Sequence, residues 1–343
     1  MKYYVTEDAI EKARKKLEEN NIQYKIIKNI EDIKDNKDRA VIFTVNKGKF
    51  LMPCPGTPRY ICCGYYVLAP VENCPYNCSY CILNAYFKDR HIKIYINTDD
   101  MMKEMEAITK VKEIKRIGTG EFSDSMFQLG ANIYAETLIE FFNKNKDIYL
   151  ELKTKGKNIL ECFLESNYKN IIFSWSMNSR KINKSEEIGT SSIDERIYLA
   201  KMVSTKGYPI SLHFDPIIEY EGWEKDYEEV IDLIFKHLDS KAIKWISLGT
   251  LRFIPKLRDI AKSLHPETKI FDNEFILALD GKKRYFRKKR TEIYKKIYEM
   301  IRSYTNDIFV YLCMENDDVW YDVFKIRMND KKLKGLMDDQ VRK

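Results

Sequence analysis

The chain has 343 residues and a mass of 40.8 kDa, enough for one α/β barrel with additions or for about two ordinary domains. Its 59 basic and 52 acidic residues leave a net charge of +7, and 44% of its residues are hydrophobic, which excludes wholesale disorder. No apolar run reaches the ~18 residues of a membrane span, and no signal peptide is recognisable. We therefore expect a cytoplasmic protein without membrane contact.

The hydrophobic pattern divides the chain into three parts. Residues 1–55 form an N-terminal α+β extension, with predicted elements at 7–19 (helix), 24–27 and 40–44 (strands). Residues 56–265 alternate short β-rich runs with longer helical stretches. Residues 266–343 form a C-terminal basic helical and β extension, with a predicted strand at 308–313 and a helix near 320–327.

The central part contains six predicted strands, with helical stretches at 99–111, 133–143, 192–204 and 225–237 between them. The strands lie at 65–68, 115–118, 148–153, 171–175, 210–214 and 244–248. Strands that alternate with helices indicate a parallel sheet with right-handed crossovers. Six units are fewer than the eight of a closed barrel, so we predict an α/β fold with a partial (β/α)6 barrel of TIM type.

Eight cysteines in a reducing compartment argue for metal binding rather than for a disulfide framework. Cys162 and Cys313 stand alone in apolar surroundings and are interpreted as core residues. The other six fall within 28 residues, a density typical of a metal site; they are Cys54, Cys62, Cys63, Cys74, Cys78 and Cys81.

Cys74, Cys78 and Cys81 form a C-x3-C-x2-C triplet directly after the first predicted strand. Three thiolates suit a 4Fe–4S cluster that keeps one iron open to a small molecule. A zinc site with Cys62 or Cys63 as the fourth ligand remains an alternative, as do plain structural cysteines.

This triplet at the end of a first barrel strand resembles the radical S-adenosylmethionine (SAM) superfamily, and the later motifs resemble the spore photoproduct lyase family. Those motifs are Gly118-Thr-Gly-Glu-Phe-Ser-Asp-Ser125, Phe173-Ser-Trp-Ser-Met-Asn178, Gly189-Thr-Ser-Ser-Ile-Asp-Glu-Arg196, Gly207-Tyr-Pro209, Asp215-Pro216 and Glu221-Gly-Trp223. The resemblance implies a 4Fe–4S cluster on the three cysteines and reductive cleavage of SAM to a 5′-deoxyadenosyl radical. It also implies action on a pyrimidine lesion in DNA, and an electron donor such as flavodoxin or ferredoxin.

The resemblance also assigns residues to the SAM site, at the strand ends where ligands of parallel sheets collect. Glu121, after the glycines Gly118 and Gly120, is similar to the family's Gly-Gly-Glu motif for the methionyl amino group, although an ordinary turn is the alternative. Lys153 matches a lysine for the methionyl carboxylate. The other candidates are Ser174 and Ser176 for polar contacts, Tyr80 near the adenine, and, less specifically, His213, Asp215 and Arg252.

Two positions depart from the family pattern. The family's hydrogen-donor cysteine aligns with Glu121, and a tyrosine that follows the last cluster cysteine aligns with Ile82. The extra cysteines, Cys62 and Cys63 above all, are therefore candidates for a substitute hydrogen donor.

Residues 282–302 hold ten Lys or Arg against two Glu, interleaved with aromatic residues. This composition is a weak indication of nucleic-acid binding, and a solvated helix face is the alternative. The sequence thus favours a radical SAM lyase. A radical SAM enzyme with a non-DNA substrate and a metal-stabilised nucleic-acid-binding protein remain open, and the oligomeric state is not specified.

Overall fold

The computed structural model describes residues 1–33, 39–57, 59–110, 115–159, 161–166 and 168–342. Its strands are β1 (Lys2–Thr6), β2 (Lys25–Ile27), β3 (Ala40–Thr44), β4 (Leu51–Pro53), β5 (Tyr66–Leu68), β6 (Val71–Glu72), β7 (Asn77–Cys78), β8 (Ile92–Tyr95), β9 (Lys115–Gly118), β10 (Ile148–Thr154), β11 (Ile171–Ser176), β12 (Glu187–Ile188), β13 (Ile210–Ile217), β14 (Ile243–Thr250), β15 (Arg252–Phe253), β16 (Ile276–Leu277), β17 (Lys283–Arg284) and β18 (Phe309–Leu312).

Helices connect most of these strands. They are α1 (Ile10–Glu19), α2 (Leu83–Tyr86), α3 (Thr98–Thr109), α4 (Gln128–Lys144), α5 (Glu161–Glu165), α6 (Arg180–Glu186), α7 (Ile193–Thr205), α8 (Trp223–His237), α9 (Lys256–Leu264), α10 (Arg287–Arg302), α11 (Asp317–Phe324) and α12 (Asp330–Arg342), with short 3-10 turns at Glu7–Ala9, Ile30–Asp32 and Ser240–Ala242. No described helix is long and apolar enough to cross a membrane.

The central sheet has the order β18-β14-β13-β11-β10-β9-β5-β4. The six predicted strands occur in it as β5, β9, β10, β11, β13 and β14, all parallel and in chain order. The α/β class is thus confirmed, with a curled, open sheet. The parallel run is longer than six, because β18 also pairs in parallel with β14, and β4 adds an antiparallel edge.

The middle of the sheet is buried on both faces, which explains its continuous apolar runs. Every residue of β11 is buried, and β14 is buried except for Lys244. α4, α7 and α8 cover the sheet with apolar faces that include Leu138, Ile197 and Ile231. The strands are therefore held rigidly, and the residues at their carboxyl ends have fixed positions.

A second, five-stranded sheet of order β2-β1-β3-β8-β6 lies in the N-terminal half. It combines three strands from residues 1–55 with two short strands on either side of the cysteine triplet. The sequence did not predict β1 or β8. This sheet matters for the site because it fixes both ends of the segment that carries the triplet.

Candidate radical SAM site

A cavity of about 380 Å³ opens at the carboxyl ends of the parallel strands. Its wall contains residues from the ends of β9, β10, β11, β13, β14 and β18, together with the segment that follows β6. The structure brings most of the predicted site residues to this wall: Cys62, Cys63, Cys74, Cys78, Tyr80, Cys81, Gly120, Glu121, Lys153 and Ser176, and also the less specific candidates His213, Asp215 and Arg252. The cavity therefore unites the cysteine triplet with most of the predicted SAM-binding residues.

The triplet is held by a short two-stranded ribbon. β7, which contains Cys78, pairs with β12 in antiparallel register, and the Ser79 amide donates to the Glu186 carbonyl at 2.9 Å. Burial raises the pKa of the Cys74, Cys78 and Cys81 thiols. Neighbouring thiols with raised pKa values lose their protons readily only when a cation is bound to them, and these three form a donor set suited to iron or zinc.

Arg39 supports the triplet from outside, and no motif in the sequence indicated this role. Its guanidinium donates to the carbonyl oxygens of Cys74, Pro75 and Tyr76, with N–O distances of 3.3 Å to Pro75 and 3.0 Å to Tyr76. Arg39 precedes β3 in the N-terminal sheet, so that sheet fixes the backbone of Cys74, the first cysteine of the triplet.

No group of three or more His, Cys, Asp or Glu side chains among the described residues converges as a single metal ion requires. The zinc alternative needs four donors around one ion. A 4Fe–4S cluster instead spreads its thiolate ligands around a larger core, with one cysteine for each of three irons. The three cysteines of the triplet thus match the ligand number of a cluster with one open iron, whereas a structural zinc ion would need a fourth donor.

Glu121 and Lys153 form an ion pair in the cavity wall, with 2.7 Å between Lys153 Nζ and Glu121 Oε1. The Tyr65 hydroxyl donates to the same carboxylate oxygen. Burial alone would raise the pKa of Glu121, but the Lys153 ammonium outweighs it and lowers that pKa. Burial would likewise lower the pKa of Lys153, but Glu121 and Glu151 raise it. Both side chains are therefore charged and point into the cavity.

The two glycines of the motif are required by close packing. A Cβ on Gly120 would lie 2.8 Å from the Lys153 Cβ and 3.3 Å from the Lys153 carbonyl oxygen. A Cβ on Gly118 would lie 2.8 Å from the Tyr65 ring, and Gly118 does not reach the cavity wall. The glycines thus let Tyr65 and Lys153 approach Glu121.

The two predicted serines of β11 differ in position. Ser176 lines the cavity, whereas Ser174 is fully buried behind it. The Ser174 hydroxyl donates to Glu151 Oε1 at 2.7 Å, and His213 Nε2 lies 2.7 Å from the same oxygen. Burial would raise the pKa of Glu151, but His213 and Lys153 lower it to about 2. Ser174 thus acts on the cavity through Glu151 and His213, which both line it.

Tyr80 is anchored by a buried ion pair that the sequence reasoning missed. Its hydroxyl donates to Glu187, and Lys155 Nζ lies 5.8 Å from the centre of its ring. Glu187 in turn binds Arg196 at 2.6 Å, and both side chains are almost completely buried. Arg196 also donates to the Ser176 carbonyl oxygen at 2.8 Å. Arg196 is the last residue of the motif at residues 189–196, and this position was the sequence feature that could have indicated its ion pair with Glu187.

Asp215, Arg252 and Cys313 form a further polar group in the wall. Arg252 binds Asp215 through both guanidinium nitrogens, at 2.9 and 2.8 Å, and its Nη2 lies 3.6 Å from the Cys313 sulfur. Cys313 packs against the hydrophobic core as predicted, and it also lines the cavity, which the sequence did not indicate. Cys162 packs against the core as predicted.

Part of the basic segment at residues 282–302 is structural. Tyr285 and Tyr294 are buried, and Arg290 forms a buried ion pair with Glu315 at 2.9 Å. Lys282 is the one residue of the segment that lines the cavity. The aromatic residues Tyr285 and Tyr294 are therefore not available for stacking on bases, which weakens the sequence indication of nucleic-acid binding there.

Three curated relatives share sequence similarity over most of the chain. Spore photoproduct lyase of Clostridium acetobutylicum is 28% identical over 208 residues, which cover 60% of this chain and 62% of that protein. The Geobacillus sp. enzyme of the same name is 25% identical over 258 residues, 71% of this chain and 74% of that protein. The Bacillus subtilis enzyme is 26% identical over 242 residues, 68% of each.

Solved structures share the fold. A spore photoproduct lyase mutant with bound AdoMet and dinucleoside spore photoproduct superposes with a TM-score of 0.78 and 20% identity, over 90% of this chain and 98% of that one. Streptococcus suis SuiB is a more distant structural neighbour, with a TM-score of 0.51 and 15% identity over 76% of this chain and 51% of that one.

The family model of spore photoproduct lyase matches residues 62–313, which include the cysteine triplet, the ion pair of Glu121 and Lys153, and Cys313. This match spans most of the chain and agrees with the curated relatives. The chain therefore belongs to the spore photoproduct lyase family, a family of radical SAM lyases.

Proposed function

We propose that this protein binds a 4Fe–4S cluster and SAM in the cavity and acts as a radical SAM lyase on a pyrimidine lesion in DNA. The observation that carries this proposal is one cavity wall that combines three cysteines of the triplet with the charged pair of Glu121 and Lys153. Family membership supports the same reaction class.

Cys74, Cys78 and Cys81 would hold the cluster, which when bound supplies the electron that cleaves SAM to methionine and a 5′-deoxyadenosyl radical. The chain contributes a fixed ligand segment: Arg39 binds its carbonyl oxygens, and β12 binds its backbone. The surrounding buried side chains limit access of water to the thiols.

Glu121 and Lys153 would bind the methionyl end of SAM. That end carries an ammonium and a carboxylate, and the pair presents one charge of each sign 2.7 Å apart. The ammonium would bind Glu121 and the carboxylate Lys153, each through charge-assisted hydrogen bonds. Tyr80 offers an aromatic face for the adenine, and Ser176 a polar contact; Gly118, Gly120 and Ser174 act by positioning these groups.

The substrate would enter beside Asp215, Arg252 and Lys282, which also line the cavity. Guanidinium and ammonium groups suit the phosphate of a dinucleotide. A related protein has been captured with a dinucleoside spore photoproduct, which supports a lesion of this class.

Because Glu121 stands where the family has its donor cysteine, we propose that Cys62 or Cys63 donates the hydrogen atom. An S–H bond breaks, a C–H bond forms on the product radical, and a thiyl radical remains.

We further propose that residues 56–265 form the radical SAM unit with six β/α repeats, supported by residues 1–55 and 266–343. An electron donor of the flavodoxin or ferredoxin type would reduce the cluster. Both statements extend the family resemblance to this chain.

The test uses anaerobically reconstituted protein, SAM and a chemical reductant. We expect about four irons per chain and release of 5′-deoxyadenosine; one zinc per chain with intact SAM would contradict the enzyme proposal and favour a metal-stabilised binding protein. A second assay follows deuterium from a labelled synthetic dinucleotide lesion into 5′-deoxyadenosine, because the adenosyl radical takes its hydrogen atom from the lesion. Cleavage of SAM without such transfer would favour a radical SAM enzyme with a non-DNA substrate.

A further inference from the structure

Seven of the eight cysteines line the same cavity, and four of them lie outside the triplet. Those four are Cys54, Cys62, Cys63 and Cys313. All four are free thiols of intermediate exposure. Because these thiols are partly exposed, small thiol-reactive molecules that enter the cavity can reach them.

Cys54 and Cys62 both lie in the connection between β4 and β5. These strands pair in antiparallel register with Pro53 opposite Tyr66, and the Cys54 amide donates to the Tyr65 carbonyl oxygen at 2.9 Å. This register places Cys54 alongside the segment that contains Cys62.

Gly56 turns the loop back at a left-handed φ of +53°. A Cβ at Gly56 would lie 3.7 Å from the Cys62 sulfur and 3.8 Å from the Cys54 carbonyl oxygen. Both cysteines therefore flank the same glycine, and the Cys54 thiol is the main cause that raises the pKa of the Cys62 thiol.

The C-terminal part of the chain holds the backbone of Cys62 in place. The Cys62 amide donates to Asp330 Oδ1 at 2.9 Å, and the neighbouring Ile61 pairs with Glu315 as an isolated antiparallel bridge. Cys54 is held on the other side by its backbone bond to Tyr65. Two thiols fixed on either side of one turn need little movement to form a bond.

We propose that Cys54 and Cys62 form a reversible dithiol–disulfide couple in the cavity wall, which small-molecule disulfides oxidise. In this reaction the two protein thiols lose their hydrogens and form one S–S bond, and the S–S bond of the small disulfide is reduced to two thiols. Cys63 is the poorer partner for Cys62, because adjacent cysteines close a strained eight-membered ring. This couple does not depend on the proposed lyase reaction.

The experiment exposes the full chain, with its cluster reconstituted, to anaerobic buffers of oxidised and reduced glutathione. Free thiols are then alkylated in denaturant, and the protein is digested with trypsin. Cleavage after Lys49, Arg59 and Lys88 separates the Cys54 peptide (residues 50–59) from the Cys62 peptide (residues 60–88). A disulfide joins the two peptides with a loss of two hydrogens, and neither SAM nor substrate is present.

We expect the joined peptides in the wild type and in Cys63→Ser at the oxidising end of the series, and their separation at the reducing end. Cys62→Ser should reduce the joined species at least tenfold, while Cys162→Ser, a control in the core, should leave it unchanged. Absence of the joined peptides from the oxidised wild type would overturn the proposal. So would their persistence in Cys62→Ser or their loss in Cys63→Ser. Because the readout is peptide mass, a failure here is distinguishable from a failure to cleave SAM.

Discussion

Lys153 Nζ lies 2.7 Å from Glu121 Oε1, so the pair joins the ends of two neighbouring strands, β9 and β10, inside one cavity. Both partners are mostly shielded from solvent, with side-chain exposures of 24% and 29%. Without a ligand, each side chain neutralises the charge of the other and serves as its hydrogen-bond partner. A bound zwitterion can separate them and take both as partners, which is why we place the methionyl group of SAM there.

Lys153→Met is expected to weaken SAM binding about 10- to 100-fold, because a charge-assisted hydrogen bond contributes about 1.5–3 kcal/mol and Glu121 is left unpaired. Isothermal titration of the reconstituted protein with SAM measures the change. Lys262→Met is the control, since Lys262 pairs with Asp272 on the surface outside the cavity. Equal SAM affinity in Lys153→Met and the wild type would contradict the assignment.

Gly120→Ala is expected to lower both stability and SAM affinity, because its Cβ would lie 2.8 Å from the Lys153 Cβ. Overpacking of this kind costs about 1–3 kcal/mol. The matched control is Gly335→Ala in α12, where a Cβ meets nothing within 4 Å and helix propensity predicts a gain of up to about 1 kcal/mol. Urea unfolding and SAM titration check both variants; an unchanged Gly120→Ala protein would refute the packing argument.

Arg196→Met is expected to reduce the free energy of unfolding by about 3–5 kcal/mol, because it leaves Glu187 buried without its partner. Its exposed counterpart is Arg180, which pairs with Asp194 at 2.7 Å with both side chains about half exposed. Arg180→Met should cost no more than about 1 kcal/mol. Comparable losses in the two variants, measured by urea unfolding, would show that burial does not decide the cost.

Acid should destabilise the protein through Glu187. Burial would raise the pKa of Glu187, but Arg196 and Lys155 lower it from 4.5 to about 2. A carboxyl whose pKa is lower in the folded state stabilises that state above its unfolded pKa, and this stabilisation disappears as the pH falls through the folded pKa. Between pH 4.5 and 2 the free energy of unfolding should therefore fall more steeply in the wild type than in Glu187→Gln. Parallel pH profiles would contradict the assignment.

The six parallel strands and the cysteine triplet could be predicted because their signals are local. Each strand is a short apolar run between helical stretches, and the triplet is a spacing within eight residues. The roles of Arg39 and Cys313 could not be predicted in this way, because they depend on contacts across the fold. Arg39 reaches a carbonyl 35 residues away, and Cys313 reaches the cavity only because β18 pairs with β14.

For Glu121, the motif predicted a role in the site but not the partners of its side chain. Its position after two glycines was enough to predict a role near SAM, but its partners were not visible in the sequence. Tyr65 comes from the preceding strand segment and Lys153 from the following strand, and the close approach of all three depends on the absence of a Cβ at Gly118 and Gly120.

The central claim is that the cysteine triplet holds a cluster that cleaves SAM, and one comparison tests it most directly. Wild-type protein, Cys78→Ala and the core control Cys162→Ala are reconstituted anaerobically, and iron content and 5′-deoxyadenosine release are measured on the same samples. We predict about four irons per chain and release of 5′-deoxyadenosine for the wild type and Cys162→Ala, with at least a 100-fold lower rate for Cys78→Ala. Undiminished release from Cys78→Ala, or none from iron-loaded wild type, would contradict the account.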